Sequence, residues 1–437
     1  MDGGRWAVVG GGMLGATLAL RLAGAGQDVT LYESAPELGG LASAWSIGDV
    51  VWDRHYHVTL LSDANLRRLL GELGVEEELR WVVTRTGCYS NGRLYSVSNT
   101  LELLRFPPLR FIDRLRLGWT VFYASRVRRW ERLEEVPVEK WLGRHSGSRA
   151  LDQFWRPLLR SKLGDDYRRS SAAFIWAVIQ RLYAARRSGL KREQFGYVPG
   201  GYARVLHRLA ERLARAGVRI RLGAAVEAVG SDGGPYVTSG GVVEHYDRVV
   251  VTTAAPVAAR LVSGLTQAER ELLERMPYLG IVCASLLLDR PLSPFYVTNI
   301  TDPGFPFTGV IEMTALVDPA QFGGRHLVYL PAYLPTGHPL FDATDDEVRA
   351  QFLDALTRMY PDLRPEQVQH FRVSRVGLVL PVPTLGYSKR LPRQDTSLPG
   401  IHIVNSAHIV NGSLNVNETV GLAESAAKRL LAEMVRP

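Results

Sequence analysis

The 437-residue sequence predicts an α/β fold in which a Rossmann-like dinucleotide-binding domain is interleaved with a mixed α+β domain. Three observations carry this expectation. An apolar run, Trp6-Ala-Val-Val-Gly10, leads into Gly12 and Gly15 with the spacing G-x-G-x-x-G and opens an Ala/Leu-rich helical stretch. A second β-like run over 29–33 ends in Glu33, 18 residues beyond Gly15. Alternating strand and helix character returns over 196–256 and 401–435, after long stretches of different make-up.

Each part of the first unit has a physical reason. Gly10 permits the tight turn, Gly12 lets backbone approach a pyrophosphate, and Gly15 lets the helix lie close on the strand. Met13 and Leu14 begin that helix, whose free N–H groups and positive dipole end favour phosphate. Glu33, with Ser34 beside it, stands near the ~20-residue offset at which a carboxylate holds a ribose hydroxyl. The run over 6–20 is too short and too interrupted by glycine for a membrane span or a signal peptide.

Further along, Gly39-Gly40-Leu41 implies another close backbone approach, followed by the polar, aromatic segment Asp53-Arg54-His55-Tyr56-His57. A helix is expected over 63–73, closed by Gly74, and a hairpin over 82–97 turning at Asn91-Gly92. Residues 100–195 read as mostly helical, with Trp141, Trp155 and Trp176 as core anchors. Val205, Leu206, Leu209, Leu213 and Ala216 mark a helix closed by Gly217. Short strands follow at 218–222 and 226–229 and a hairpin over 236–243, then a buried strand over 248–256. Residues 263–390 mix strands (279–288, 308–316, 326–333, 371–379) with a helix over 345–359. A strand at 401–405 and a helix over 417–435 close the pattern.

Composition is that of an ordinary globular protein, 46% apolar and 22% charged. Cys88 and Cys283 fit no metal or disulfide spacing and are expected as buried free thiols. The net charge of +8 reflects 47 arginines against five lysines. It clusters over 105–132, a net +6 interleaved with Phe, Trp, Tyr and Leu. A basic amphipathic helix pair of this kind suits peripheral contact with an anionic membrane face; its competing reading is a solvated outer face over an aromatic core. Nothing resembles a nucleic-acid-binding signature, and no metal site is expected.

Gly10-x-Gly12-x-x-Gly15, Glu33 and Gly39-Gly40-Leu41 together resemble the FAD-dependent amine oxidase superfamily. So do Pro199-x-Gly201 before a helix, Ala216-Gly-Val-Arg-Ile220, Val226-Glu-Ala-Val229 and Asp247-Arg-Val-Val-Val-Thr-Thr-Ala254. The protoporphyrinogen oxidase and phytoene desaturase-like branch is the most similar. The resemblance implies a glutathione reductase-type FAD domain over 1–80, 197–262 and 395–437, with a substrate domain over 81–196 and 263–394. It implies FAD held by Gly10, Gly12, Met13, Leu14, Gly15, Glu33, Ser34, Gly39, Gly40 and Leu41. Val226 would meet adenine through its backbone, and Thr253 and Ala254 would pass near the dinucleotide. Asn405 stands where the family carries an acid, and Asn417, Glu418 and Thr419 would bring backbone N–H groups to the flavin C2=O. No lysine lies between Lys191 and Lys389, so the lysine-held water of amine oxidases proper is not expected.

The chemistry implied is hydride transfer from a bulky lipophilic or anionic small molecule to flavin N5, in a cytoplasmic protein or one at the inner membrane face. His55, Tyr56, His57 and Arg375 are the candidate catalytic residues, with a histidine able to serve as base. Tyr197 and Tyr387 are candidate pocket walls, His408, Asn411 and Asn415 candidate flavin contacts, and Lys162 a candidate partner for an acidic substrate group. Two alternatives stand beside this reading. One is a non-redox enzyme resembling UDP-galactopyranose mutase, with arginines clamping a nucleotide-sugar. The other is a flavin-binding scaffold without turnover.

Overall fold

A computed structural model of the protein describes residues 4–99, 102–103, 105–185, 194–410 and 413–434. Strand β1 (Arg5–Val9), helix α1 (Met13–Gly24) and strand β2 (Asp28–Tyr32) form the expected first unit. β1 and β2 pair in parallel, and the sheet grows to five strands in the order Arg219–Arg221, β2, β1, Arg248–Val251, Ile401–Ile403. Both faces are covered, as a parallel sheet requires. Trp6 and Val8 face α1 and the helices Gly201–Arg215 and Val416–Met434, while Ala7 and Val9 share the other face with Tyr32, Val249, Val251, Ile401 and Ile403 and pack with Val229, Val237 and the helix residues Ala255, Ala258 and Ala259. Ala423, Ala426 and Ala427 in the last helix are small enough to let it lie close on α1.

A second, seven-stranded sheet runs Val368–Pro381, Tyr278–Leu288, His326–Pro335, Gly309–Glu312, Val297–Ile300, Thr86–Ser90, Arg93–Ser96. The unbroken apolar strand Tyr278–Leu288 is buried at every residue because it is paired on both sides. The last two strands turn at Asn91 (φ 52°) and Gly92 (φ 69°), the left-handed pair that a two-residue hairpin demands. A small third sheet runs Thr59–Leu60, Gln194–Tyr197, Arg80–Val83.

The helical stretch comprises Phe111–Arg126, Val138–Ser146, Arg156–Leu163 and Ala172–Ala185. Trp141 and Trp155 are buried in its core. Trp176 is not: it is half-buried and stacks on Trp130 at the margin, donating from Nε1 to the Val127 carbonyl. Several strands are shorter than expected, among them 401–405, which ends at Ile403, and two more that end for a visible reason. Residues 248–256 leave the sheet after Val251 because Pro256 starts a helix, Ala255–Leu261. Residues 308–316 leave theirs after Glu312, where a 3₁₀ turn, Met313–Ala315, begins. Cys88 and Cys283 are free and buried. Among the described residues no helix is long and apolar enough to cross a membrane.

Candidate functional site

β1, Arg248–Val251 and Ile401–Ile403 are neighbours, and the loops leaving their C-terminal ends meet. The Thr252 hydroxyl donates to the Val9 carbonyl at 2.9 Å, and the Val404 N–H donates to the Val251 carbonyl at 2.9 Å. The chain leaves β1 toward β2 on one side, while Arg248–Val251 lies on the other. This is the topological switch point where open α/β sheets bind ligands.

The glycines there differ in what they do. Gly10 has φ +110°, and a Cβ on it would strike the Thr252 hydroxyl at 2.6 Å. A Cβ on Gly15 would stand 1.9 Å from the Gly10 carbonyl oxygen, so α1 packs directly on the turn. Around Gly12, by contrast, nothing lies nearer than 4.0 Å. A side chain there would fill an open cradle at the α1 N-terminus, whose first turn, begun by Met13 and Leu14, contains no acid. Gly39 bridges to Gly12 and donates its N–H to the Gly11 carbonyl, and Gly40 lies over Gly12.

Glu33 divides its carboxylate between the Gly11 N–H at 2.7 Å and the Ala35 N–H at 2.8 Å, and Ser34 donates to it. It therefore shapes the glycine loop from beneath. The Glu33 carbonyl accepts the Ala224 N–H, which brings Val226, the first residue of the strand Val226–Gly230, to the same side. Ala254 caps the helix Ala255–Leu261 with its carbonyl.

Two donors in this region have no partner among the described residues: the Thr253 hydroxyl and the Asn405 amide nitrogen, both shielded from solvent. Asn405 is fully buried, and its side-chain oxygen is already taken by the Ala407 N–H. Buried donors without acceptors are costly, and their place beside an open, acid-free glycine cradle fits a phosphate- and hydroxyl-rich dinucleotide. FAD would be held by this set.

Other expected contacts are engaged elsewhere. His408 places one ring nitrogen against the Asn405 backbone and the other on the Pro392 carbonyl. Tyr387 is buried and donates to the Ala407 carbonyl. The Glu418 and Thr419 N–H groups donate to the side-chain and backbone oxygens of Asn415, which caps the terminal helix, so these two groups are not free to meet a flavin carbonyl. Asn417 turns its side-chain oxygen to the Asn65 and Leu66 N–H groups and caps the helix Ala64–Glu72. Asn411 lies outside the described residues.

Beyond the Gly39–Gly40 turn the strand Val50–Asp53 delivers the His-Tyr-His segment. His55 is locked: Nδ1 lies 3.3 Å from the Leu41 carbonyl and Nε2 3.2 Å from the Ser374 hydroxyl. Burial pushes its pKa down to about 4, with the Arg54 charge adding to the effect. His57 is pushed down to about 3 by burial, yet its Nδ1 has no hydrogen-bond partner among the described residues. Asp53, buried with only the Tyr202 N–H on its carboxylate among the described residues, rises to about 7. The Tyr56 hydroxyl lies 3.1 Å from that of Tyr333, and burial pushes it up to about 12.

The strand Val368–Pro381 separates two expected neighbours. Ser374 reaches His55, whereas Arg375 points the other way to Asp345 (2.6 Å) and the Ala343 carbonyl (2.6 Å). Arg375 is thus not joined to the histidine segment. The Tyr197 hydroxyl accepts a long hydrogen bond, 3.5 Å, from the Asp318 N–H, and the residue lines a small cavity with Asp53 and His57. Lys162 does reach the segment, its ammonium 3.3 Å from the Tyr56 hydroxyl. Tyr333 and Ser374 were not singled out in the sequence. Tyr329 and Tyr333, four residues apart on one strand face, carried the one usable signal.

Comparison with known proteins follows the same lines. The family described as flavin containing amine oxidoreductase matches residues 15–431. The 15-cis-phytoene desaturase of Narcissus pseudonarcissus is 39% identical over 75 residues, which is 17% of this chain and 13% of that protein. The matched stretch therefore spans a small part of that relative's length. The carotenoid phi-ring synthase of Streptomyces griseus is 26% identical over 461 residues, covering 96% of this chain and 85% of that protein. Among solved structures, a reduced UDP-galactopyranose mutase superposes with a TM-score of 0.76 at 16% identity, covering 98% and 96% of the two chains.

Proposed function

This chain belongs to the flavin containing amine oxidoreductase family, so FAD is its cofactor, and we propose that it moves hydride from a bulky organic substrate to flavin N5. The observation that carries the proposal is the switch-point cradle, where the open Gly12 face meets the unpartnered donors of Thr253 and Asn405. We assign the FAD domain to 1–80, 197–262 and 395–437 and the substrate domain to 81–196 and 263–394.

When bound, the isoalloxazine ring supplies the hydride acceptor. The chain's own residues bind, orient and dry the site. Gly10, Gly12, Gly15 and the α1 N-terminus take the pyrophosphate; Glu33 supports the glycine loop and offers its remaining acceptor capacity to ribose. His55, held at both nitrogens, orients the segment. His57 leaves Nδ1 without a partner among the described residues but, held down to about 3, resists protonation, so Asp53, at about 7 and 3.9 Å away, is the group poised to take a proton. Tyr56, Tyr329 and Tyr333, backed by the buried apolar strands, keep water from the reacting C–H. The relatives whose names include desaturase and carotenoid phi-ring synthase favour an apolar substrate. The exposed aromatic and arginine residues of 105–132 suit peripheral contact with an anionic membrane.

A mutase-type reaction would share this fold, since a likeness at 16% identity concerns the fold alone. The structure does not favour it: Arg375 is bound to Asp345, and the cation at the tyrosines is Lys162. The test is the visible spectrum of purified protein before and after anaerobic addition of candidate apolar substrates. Flavin bands that bleach without an added reductant are expected. A chain that cannot be reconstituted with FAD, or a flavin that every candidate leaves oxidised while dithionite-reduced protein turns over a nucleotide-sugar, overturns the proposal.

A further inference from the structure

The chain has five lysines, and one is held in an unusual way. Lys162 projects from the helix Arg156–Leu163, exposed to solvent, and lays its ammonium across two tyrosine rings. Nζ is 5.8 Å from the Tyr56 ring centroid, 5.2 Å from the Tyr333 centroid and 3.3 Å from the Tyr56 hydroxyl. The two hydroxyls are 3.1 Å apart. Among the described residues no carboxylate lies within ion-pair distance of it. Most arginines on the surrounding helices do have such partners: Arg156 with Glu139 and Asp152, Arg160 with Asp165, Arg169 with Asp166.

A cation held by aromatic faces keeps its charge uncompensated while its position is set. Here the uncompensated charge is joined to two phenols, so one point presents an ammonium and O–H donors together. Both phenols are pushed up in pKa by burial and stay protonated, which leaves them able to donate. Apolar walls lie behind them: Tyr56 and Tyr333 pack against the cluster containing Ile281, Cys283 and Tyr329. Fixed donors and a charge at the rim of an apolar surface match an oxyanion on an otherwise apolar molecule.

We propose that Lys162, Tyr56 and Tyr333 form a binding point for a carboxylate or phosphate oxygen at the end of an apolar ligand, orienting that ligand toward the His-Tyr-His segment. The orienting part of this statement rests on the proposed flavin site; the binding point itself does not. The ammonium shifts from the Tyr56 hydroxyl to the incoming oxyanion, and the Tyr56–Tyr333 pair turns one O–H toward it. No bond is made or broken.

The test is calorimetric titration of the holoenzyme with decanoate, decyl phosphate and decanol. At least one of the two anions is expected to bind more tightly than the alcohol. Lys162→Met is expected to weaken that anion about 10-fold or more and Tyr333→Phe about 3-fold, as loss of a charged and of a neutral hydrogen bond predicts. Decanol binding should stay within about 2-fold in both, and Lys162→Arg should restore most of the anion affinity. Carboxylate preference over phosphate, or the reverse, names the source of the oxyanion. Anion binding unchanged in Lys162→Met, equal loss of anion and alcohol, or no anion binding at all overturns the proposal. Flavin content, read from the visible bands of the same samples, reports separately on the FAD reading.

Discussion

The carboxylate of Asp53 stands 3.9 Å from Nδ1 of His57 beside a small cavity of about 10 Å³ lined by both residues, Tyr202 and Gly201. That volume is about the least that admits one water. The Tyr202 ring packs on His57 at 4.8 Å and its N–H donates to Asp53 at 2.6 Å, so the pair is fixed from one side. Burial works oppositely on the two groups, raising the acid to about 7 and lowering the base to about 3. At neutral pH the imidazole is uncharged and the carboxyl is near half-titration.

Linkage gives the first prediction. Asp53 binds its proton more tightly folded than unfolded, so it contributes stability below its ordinary value near 4 that is lost as pH rises toward 7. His57 acts in reverse, destabilising the fold below about 6.5 where the unfolded imidazole is protonated. The Asp53 slope opposes that of His57 between about 4 and 6.5, and His55, lowered to about 4, adds to the His57 side, so the Asp53 contribution is hidden in the wild type. Asp53→Asn removes only the falling limb. Relative to wild type, the variant is expected to gain stability from pH 4 to 7, on the order of 4 kcal/mol, and to level off above that. Chemical denaturation at a series of pH values measures it; a difference that does not vary with pH refutes the assignment.

The glycine loop separates folding from cofactor binding. A methyl on Gly15 meets the Gly10 carbonyl at 1.9 Å, whereas one on Gly12 meets nothing nearer than 4.0 Å. Gly15→Ala is therefore expected to lower stability by about 1–3 kcal/mol as overpacking does. Gly12→Ala should fold within about 0.5 kcal/mol of wild type, as substitutions that disturb no packing do, yet lose at least 10-fold in FAD affinity (~1.4 kcal/mol) because the methyl occupies the cradle. Flavin retention after gel filtration, set beside the melting temperature, distinguishes the two. Equal flavin content in Gly12→Ala and wild type would remove the pyrophosphate from this loop.

These two cases also show what a sequence discloses. The G-x-G-x-x-G spacing is legible because each glycine answers a local backbone constraint, and the local elements around it, such as the Asn91-Gly92 hairpin, follow suit. The helix Asp345–Met359 also matches its expected span, with a Thr344–Glu347 capping box at its start. Partners set by sheet register are not legible in this way. Ser374 and Arg375 are adjacent and both polar, but only the pleat decides which of them meets His55. Asn417 sits where a cofactor contact was expected, and its actual partners, Asn65 and Leu66, lie some 350 residues earlier in the chain.

That finding makes its own prediction. Asn417→Ala removes the acceptor from two first-turn N–H groups of the helix Ala64–Glu72, whose Asp63 side chain makes no cap of its own. The cost should be about 1–2 kcal/mol, the range for a lost N-cap. The folded fraction is expected to hold FAD as wild type does, because the side-chain oxygen is spent on the Asn65 and Leu66 N–H groups. Loss of flavin without loss of thermal stability would reverse this and return Asn417 to the cofactor.

The last prediction concerns the outer face of the helix Phe111–Arg126. Phe111, Leu115, Trp119 and Phe122 recur at spacings of three and four, and are 66%, 44%, 57% and 43% exposed. Leu117, Thr120 and Ala124 take the buried side, so the exposed residues form a stripe that the fold itself leaves uncovered. Arg110, Arg116, Arg126, Arg128, Arg129 and Arg132 are exposed around it, and Arg126 stacks on Phe122. An apolar stripe ringed by fixed positive charge suits the interface of an anionic bilayer, where each arginine near the surface adds about 1 kcal/mol and each buried apolar side chain about 1.5–3 kcal/mol. Wild-type protein is expected to sediment with phosphatidylglycerol vesicles, not with phosphatidylcholine vesicles, and to be released as salt rises toward 1 M, where screening shortens to about 3 Å. Trp119→Glu combined with Phe122→Glu should weaken sedimentation by well over 10-fold (more than ~1.4 kcal/mol) while leaving the melting temperature unchanged, since neither ring supports the core. Sedimentation that survives both substitutions would place any membrane contact on another face.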